Sequence, residues 1–287
     1  MIEERVRDTA SLLSVRDLAV GYGSRRRRSS QAVVSDVSFT VPSGTTLGLV
    51  GESGSGKSTI GRAILGLATP LEGSITFDGQ DITHLSRRQR RPLTSEIQVI
   101  FQDPYSSLNP AMEIQEILAE PLIAQGGSAR DARTRVRKLL DAVHLPSDAA
   151  RRLPSEFSGG QRQRVAIARS LATDPRLIVC DEPVSGLDLK TQAHVLDLLI
   201  ELQQRTGVAY LFVSHDLSVI RHISHDVVVL LDGRIVESGR AREITENPRH
   251  PYVKRLFVSS PVADPDEQAR RREMLRDLAR GDRVDAR

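Results

Sequence analysis

Residues 51–59 read GESGSGKST and match the pattern G-x-x-x-x-G-K-[ST]. An apolar run, TTLGLV at 45–50, precedes them, and helix-compatible residues follow at 60–67. Glycines in such a loop let successive backbone N–H groups converge on phosphate oxygens, and the next helix adds its positive N-terminal end. The stretch therefore predicts a strand, a phosphate-binding loop and a helix, an arrangement typical of an α/β nucleotide-binding domain.

The sequence pattern of this loop predicts roles for two of its side chains. Lys57 can reach the β- and γ-phosphates of a bound nucleotide, and the Ser58 hydroxyl can ligate Mg²⁺. The predicted nucleotide-binding residues of the loop are Gly51, Glu52, Ser53, Gly54, Ser55, Gly56, Lys57, Ser58 and Thr59. A glycine-rich turn that binds no ligand is the alternative, and the strand before the loop and the helix after it argue against that alternative.

A further side chain that holds the metal ion is expected at the end of another buried strand. Residues 177–182 read LIVCDE, with four apolar residues followed by two carboxylates. Consecutive strand residues face opposite ways, so the two carboxylates can act differently. Asp181 is predicted to hold Mg²⁺, and Glu182 is predicted to orient and deprotonate the attacking water. Alone, the string would also fit a strand that ends in solvent, but the phosphate loop favours the catalytic interpretation.

The rest of the chain alternates strand-like and helix-like segments. Short apolar or β-branched runs lie at 97–101, 177–180, 209–213 and 226–231, and they predict buried parallel strands covered by helices. The interval 104–165 interrupts this rhythm. It contains apolar residues at helical spacing and no strand-like run, so it is predicted to be a helical insertion.

Composition excludes several classes of protein. Of 287 residues, 39% are apolar and 27% are charged, which is ordinary for a folded protein. No apolar stretch approaches the roughly 20 residues of a membrane-spanning helix, and the acidic start MIEERVRD argues against a secretory signal. The single cysteine, Cys180, excludes an internal disulfide and is predicted to be a small buried residue. A net charge of +3 is too balanced for a nucleic-acid binder.

Two polar segments lie outside this pattern. Residues 24–31 read SRRRRSSQ and are predicted to form an exposed loop between strands, with an anion or lipid contact as the alternative. The residues from Asp264 onward mix arginines with acids and predict a charged tail. The sequence assigns neither segment a role.

A second glycine-rich string lies at 158–161, where SGGQ opens a helix-compatible stretch. Phosphate-loop kinases and GTPases have no need of a second glycine-rich anion site of this kind. With this string the chain resembles the nucleotide-binding subunit of ATP-binding cassette (ABC) transporters, whose signature motif SGGQ matches. The resemblance covers about residues 12–260 and includes the order of all the motifs.

The resemblance implies further site residues. Tyr22 is placed where the family stacks an aromatic ring on adenine, and Gln102 matches the Q-loop that senses Mg²⁺. Asp188 ends the D-loop string VSGLD, and His215 in FVSHD matches the histidine that contacts the γ-phosphate. Each of these residues alone would fit an ordinary core or loop position. Their order around the two strong motifs favours the functional interpretation.

The family resemblance also implies how the chain is divided. It predicts a P-loop NTPase of the ABC type: an ATP-binding, RecA-like core at 12–103 and 166–245 that includes an antiparallel β subdomain. A helical subdomain at 104–165 would carry the signature. Residues 246–287 would form a C-terminal extension with a charged tail.

In this family the site is completed in trans by a head-to-tail dimer. The signature residues that would contact ATP held by the other subunit are Ser158, Gly159, Gly160 and Gln161, together with Asp188. The catalytic set would be Lys57, Gln102, Glu182 and His215, and the Mg²⁺ ligands would be Ser58, Gln102 and Asp181.

Finer similarity favours the oligopeptide, dipeptide and nickel uptake branch. Its strings are QDPYSSLNP at 102–110, VSGLD at 184–188 and ENPRHPYVKRLFVSSP at 246–261. Two departures are mild: Phe157 precedes SGGQ where leucine is commoner, and Gly186 replaces the commoner alanine. The resemblance implies an ATPase that energises import of di- or oligopeptides, with nickel or another small solute as the alternative.

The implied assembly contains two transmembrane permease subunits, a second ATP-binding subunit (identical or different) and an extracytoplasmic solute-binding protein. The chain itself is expected at the cytoplasmic face of the inner membrane, without nucleic acid. A non-transport ABC ATPase is a second possibility, but such proteins usually carry coiled-coil, zinc or tandem-cassette additions. A cassette that binds ATP without hydrolysing it is a third, and the intact Lys57, Asp181, Glu182 and His215 argue against it.

Overall fold

The computed structural model of the chain describes residues 11–21, 32–103 and 107–259. The predictions for Tyr22, for loop 24–31 and for the tail beyond Asp264 lie outside these ranges. Within them the strands are β1 (Ser11–Gly21), β2 (Ala32–Pro42), β3 (Thr46–Val50), β4 (Pro70–Phe77), β5 (Gln80–Asp81), β6 (Ile97–Ile100), β7 (Leu177–Asp181), β8 (Ala209–Ser214), β9 (Asp226–Leu231) and β10 (Arg234–Arg240). The helices are α1 (Lys57–Ile64), α2 (Arg87–Arg90), α3 (Leu93–Glu96), α4 (Ile114–Ala124), α5 (Ala129–Ala142), α6 (Gly159–Ser170), α7 (Leu189–Thr206), α8 (Leu217–Ile223), α9 (Ala241–Glu246) and α10 (Pro251–Ser259).

The strands form two sheets. A four-stranded sheet has the order β2-β1-β4-β5 with antiparallel pairs, and a six-stranded sheet has the order β10-β9-β3-β8-β7-β6. In the larger sheet the strands from β9 to β6 are parallel, and β10 is an antiparallel edge. The prediction of a parallel sheet, with an antiparallel β layer added by the family resemblance, is confirmed.

The central strands are buried on both faces, because their successive side chains pack into two different apolar clusters. Tyr210 and Phe212 of β8 pack into one apolar cluster with helices α4 to α8, whereas Leu211 and Val213 pack into a second cluster. The second cluster lies between the two sheets and includes α1. Side chains of a strand point alternately to its two faces, so a run of six apolar or small residues fills both layers.

Two hairpins have Asp-Gly turns that the sequence analysis did not use. Asp78 and Gly79 join β4 to β5 with φ of 49° and 78°, and Asp232 and Gly233 join β9 to β10 with φ of 47° and 77°. Two successive positive φ values favour a tight hairpin turn, because its twist matches that of the strands. No strand was predicted after residue 231, so β10 is an addition from the structure.

The segment that interrupts the alternation is helical in its described part. Helices α4 and α5 pack on each other, 3-10 turns follow at Ser147–Arg151 and Pro154–Glu156, and α6 returns the chain to the sheet. Ile114, Ile117, Val136 and Leu140 are buried at helical spacing, as the sequence predicts. Among the described residues, no helix combines the length and the apolarity that crossing a membrane requires.

Candidate nucleotide site

Four neighbouring parallel strands end at one edge of the large sheet. The phosphate loop follows β3, His215 follows β8, Glu182 follows β7 and Gln102 follows β6. Carboxyl ends of parallel strands share one edge, and in open α/β sheets this edge is where ligands bind. The topology therefore brings together residues that are distant in the sequence, from Gly51 at the start of the loop to His215.

The loop itself depends on glycine at defined positions. Gly54 and Gly56 have φ of 85° and 101°, in the left-handed region that other residues avoid. A Cβ added to Gly56 would lie 2.6 Å from a methyl carbon of Val34 on β2. Helix α1 begins directly after Gly56, so the positive N-terminal end of its dipole lies beside the loop and favours an anion.

Lys57 is held inside this loop. Its ammonium group donates to the carbonyls of Gly51 and Glu52, each at 2.7 Å, and to Ser55 Oγ at 3.3 Å. The residue is 4% exposed, and burial lowers the pKa of the amine, while the nearby carboxylates of Glu182 and Asp181 oppose that shift. A buried cation with acceptors on one side is suited to a polyanionic ligand.

Two of the three predicted metal ligands are hydrogen-bonded to each other. Ser58 Oγ, in the first turn of α1, donates to Asp181 Oδ1 at 2.8 Å at the end of β7. Within the described ranges no group of three or more His, Cys, Asp or Glu residues converges as a metal cage. Two protein oxygens side by side fit Mg²⁺, which keeps several waters and takes further oxygens from phosphates. The donor set is therefore compatible with Mg²⁺ brought in with a nucleotide.

Glu182 lies between two of the predicted partners. Its Oε2 accepts from Gln102 Nε2 at 3.3 Å, and its Oε1 lies 3.2 Å from His215 Nδ1. Its side chain is 18% exposed, and its backbone has a φ of 50°. A left-handed conformation costs a non-glycine residue about 1 kcal/mol and is concentrated at functional sites. The carboxylate is therefore fixed between an amide and an imidazole, facing the loop.

These residues line one cavity of about 610 Å³. Its lining residues are Val33, Glu52, Ser53, Gly54, Gly56, Lys57, Ser58, Thr59, Gln102, Glu182, His215 and Leu256. All four residues predicted as catalytic are in this set. Val33 and Leu256 are apolar additions that sequence reasoning missed, because they come from β2 and the C-terminal helix α10.

The predicted signature residues do not join them. Of the described residues around the cavity, none belongs to 158–161, and Asp188 is not among them either. Ser158 caps helix α6: its Oγ accepts from Gln161 N at 3.3 Å, and Gln161 Oε1 accepts from Ser158 N at 2.9 Å. The glycines of this string predict an anion site, but its S-x-x-Q spacing also signals the capping box that the structure has.

Asp188 caps helix α7 in the same way. Its carboxylate accepts from Thr191 N at 3.0 Å, and hydrogen bonds from the side chain and the backbone of Thr191 lower the pKa of Asp188. The two caps are neighbours, since a Cβ added to Gly160 would lie 2.3 Å from Thr191 Cγ2. Signature and D-loop are therefore packed together, apart from the phosphate loop of the same chain.

Sequence comparison shows the family directly. A model described as ABC transporter matches residues 34–185. A putative peptide import ATP-binding protein of Brucella ovis is 47% identical over 268 residues, which are 93% of this chain and 84% of that protein. The oligopeptide transport ATP-binding protein OppD of Mycobacterium tuberculosis is 48% identical over 86% of this chain and 40% of its own length.

Solved structures agree with the sequence relatives. cbiO1 from Clostridium perfringens, part of the ABC transporter complex cbiONQ, has a TM-score of 0.75 and 26% identity, over 83% of this chain and 92% of its own. A dimeric ATP-binding cassette in a post-hydrolysis state with ADP and Pi has a TM-score of 0.71 and 29% identity, over 80% and 99%. The chain therefore belongs to the ABC transporter family, as one of its ATPase subunits.

Proposed function

We propose that this chain hydrolyses ATP to energise import of di- or oligopeptides through separate membrane subunits. The observation that carries the hydrolytic part is the cavity that Lys57, Ser58 and Glu182 line at the ends of parallel strands, with Asp181 hydrogen-bonded to Ser58. Peptide as the solute is supported by the names of the relatives, among them OppD and the Brucella ovis protein. Import of nickel or another small solute is the alternative.

The geometry supports a distinct role for each polar group. Backbone N–H groups of the loop and of the first turn of α1 bind the phosphates, and the Lys57 ammonium lies within reach of the β- and γ-phosphates. Ser58, Asp181 and Gln102 would hold Mg²⁺, which when bound neutralises charge on the phosphate oxygens. Tyr22 is proposed to stack on adenine.

Glu182 is proposed as the general base. Its carboxylate faces the cavity, so a water between it and the γ-phosphate loses a proton to Glu182 as the water attacks. Gln102 and His215 hold the two carboxylate oxygens from opposite sides and so orient them toward that water. His215 also contacts the γ-phosphate in this account, which links its position to whether ATP or ADP is bound.

A second cassette is proposed to complete the site. Ser158, Gly159, Gly160, Gln161 and Asp188 of one subunit would face the ATP held by the loop of the other. Their position away from the cavity of their own chain supports this assignment. The N-terminus of α6 then supplies additional N–H donors to the γ-phosphate.

The contact with a permease subunit is proposed in a groove of about 1090 Å³. The groove lies between the outer strand of the large sheet, β6, and helices α4 and α6. Phe101 on one wall is 43% exposed, and Ile123 on the other is 52% exposed. Arg169, which also lines the groove, pairs with Glu120 at 3.2 Å. Gln102 directly follows Phe101, so this groove adjoins the residue that contacts Glu182.

The assembly is proposed to lie at the cytoplasmic face of the inner membrane. It comprises two permease subunits, a second identical or different ATPase subunit and an extracytoplasmic solute-binding protein. No role in nucleic-acid binding is proposed.

Co-purification followed by an activity assay tests the proposal. The tagged chain, expressed in its own cells, is expected to bring down permease subunits, and Ile123→Arg is expected to weaken that capture. Leu67→Arg is the matched control, since Leu67 is 65% exposed outside the groove.

Reconstituted with its solute-binding protein, the complex is expected to raise its ATPase rate with a di- and tripeptide mixture. Stimulation by nickel chloride alone would contradict peptide as the solute, and capture of no membrane protein would contradict the importer.

A further inference from the structure

The C-terminal helix α10 contacts the phosphate loop. Tyr252, in the first turn of α10, accepts a hydrogen bond from the Glu52 backbone N–H at 2.9 Å. Tyr252 is 3% exposed, and Leu256, one turn further along the same face of α10, lines the nucleotide cavity. The contact joins residues 200 positions apart in the sequence, so a segment near the end of the described chain forms part of the support of the loop.

The start of α10 is also held in place by strand β10. The carboxylate of Glu237 on β10 accepts from the backbone N–H groups of Arg249 and His250, both at 2.9 Å. His250 Nδ1 in turn accepts from Tyr252 N at 3.2 Å, and Pro251 occupies the first helical position, where a missing N–H costs nothing. The position of the Tyr252 ring is therefore determined by β10 as well as by packing.

The backbone of Glu52, whose N–H Tyr252 binds, is central to the loop. While the Glu52 N–H donates to Tyr252, the Glu52 carbonyl accepts from Lys57 Nζ at 2.7 Å and from Ser55 N at 3.2 Å. Burial raises the pKa of the Tyr252 phenol, so the hydroxyl stays neutral across the physiological range. A fixed Glu52 restrains both the loop backbone and the lysine that reaches the phosphates.

We infer that Tyr252 is a positioning residue for ATP: through Glu52 it holds the phosphate loop and Lys57 in the conformation that binds the phosphates. This inference rests on the proposed assignment of residues 51–59 as the ATP site. Tyr252 does not touch the reacting atoms in this account, so its loss affects nucleotide affinity more than the chemical step. The C-terminal extension thereby sets how tightly the cassette holds ATP.

Tyr252→Phe tests this inference, because it removes the hydroxyl and keeps the ring. In the full assembly, the KM for ATP is expected to rise by about two- to tenfold, the range of one neutral hydrogen bond, with kcat within about twofold. Tyr210→Phe is the matched control: Tyr210 is also buried and its hydroxyl donates to the Leu199 carbonyl at 3.1 Å, remote from the loop. Its KM is expected to stay at the wild-type value.

Three results would overturn the role of Tyr252: an unchanged KM, an equal rise in both tyrosine variants, or a fall in kcat alone. If Tyr252→Phe does not fold, as judged by thermal melting, Glu237→Gln decides instead, with a smaller rise in KM expected and an unchanged KM contradicting the inference. Lys57→Ala distinguishes failure of the proposed ATP site from failure of the positioning role of Tyr252. ATP binding retained in Lys57→Ala contradicts the proposed site, whereas its loss together with a wild-type KM in Tyr252→Phe contradicts the positioning role alone.

Discussion

The phosphate loop and the signature segment are both glycine-rich and both include the start of a helix, yet their surroundings in the fold differ. Around the loop, Ser58, Asp181, Glu182, Gln102 and His215 converge within the same chain. At the signature, the polar side chains cap their own helix, and the glycines pack against the start of α7. In the proposed site, this chain supplies the half around the phosphate loop, and the signature half is proposed to come from a second cassette.

The largest expected effect is at Glu182. Glu182→Gln keeps the size of the side chain but replaces one acceptor oxygen with a donor NH2 group and removes the base, so the ATPase rate is expected to fall by about 10²- to 10⁴-fold with ATP binding retained. Phosphate release and equilibrium binding measure the two quantities. Glu201→Gln, on the exposed side of α7, is the control, and full steady-state activity in Glu182→Gln would contradict the assigned role.

The second largest effect on the hydrolysis rate is expected from a negative charge placed in the signature segment. A Cβ on Gly159 would meet Leu187 at 3.7 Å, an ordinary contact, so Gly159→Asp is expected to fold. Its carboxylate would repel the γ-phosphate of ATP held by the partner, and the hydrolysis rate of the assembly is expected to fall by about tenfold or more. ATP binding by the isolated chain is expected to be unchanged. Weaker binding by the isolated variant would contradict the separation of the two regions.

The packing of the signature on α7 predicts an effect on stability. Gly160→Ala places a methyl group 2.3 Å from Thr191 Cγ2, so the free energy of unfolding is expected to fall by about 1–2 kcal/mol. Thr191→Ser removes that methyl carbon and keeps the hydroxyl, so the double variant is expected to recover most of the loss. Gly159→Ala is the control. Denaturant titration measures all four proteins, and absence of rescue would show that the close contact is not the cause.

The smallest expected effect is at Gly186 in the D-loop. The residue has φ of 78°, with open space around an added Cβ, so Gly186→Ala is expected to cost only the left-handed conformation, about 1 kcal/mol. Thermal melting of the two proteins checks this. An increase in stability would mean that the D-loop adopts another backbone conformation in solution.

Local patterns made much of the fold predictable. The run at 177–180 is strand β7 with one residue added, and α7, one of the helices expected to cover the strands, begins at Leu189 with Asp188 as its cap. Both depend on local chemistry, namely a short apolar run and a capping side chain. The Asp-Gly pair at 232–233 carried an equally local signal for β10, which the sequence analysis did not use.

Other features needed the three-dimensional structure. The bond between Tyr252 and Glu52 joins segments that share no local pattern, because sheet topology decides which chain ends meet. The left-handed backbone at Glu182 is equally invisible in the string LIVCDE. The assignment of SGGQ to a site completed by another chain came from family resemblance, whereas its residues alone predict a helix cap.

The most direct test of the account is the ATPase rate per chain as the purified protein is diluted, measured beside its ATP binding. The account predicts that ATP binding persists at every concentration, while the per-chain hydrolysis rate falls toward zero on dilution. The rate is predicted to return when a second cassette is added, either this chain or the ATPase subunit that co-purifies with it. A per-chain rate that stays constant on dilution and equals that of the assembly would contradict the account, because hydrolysis would then need no partner.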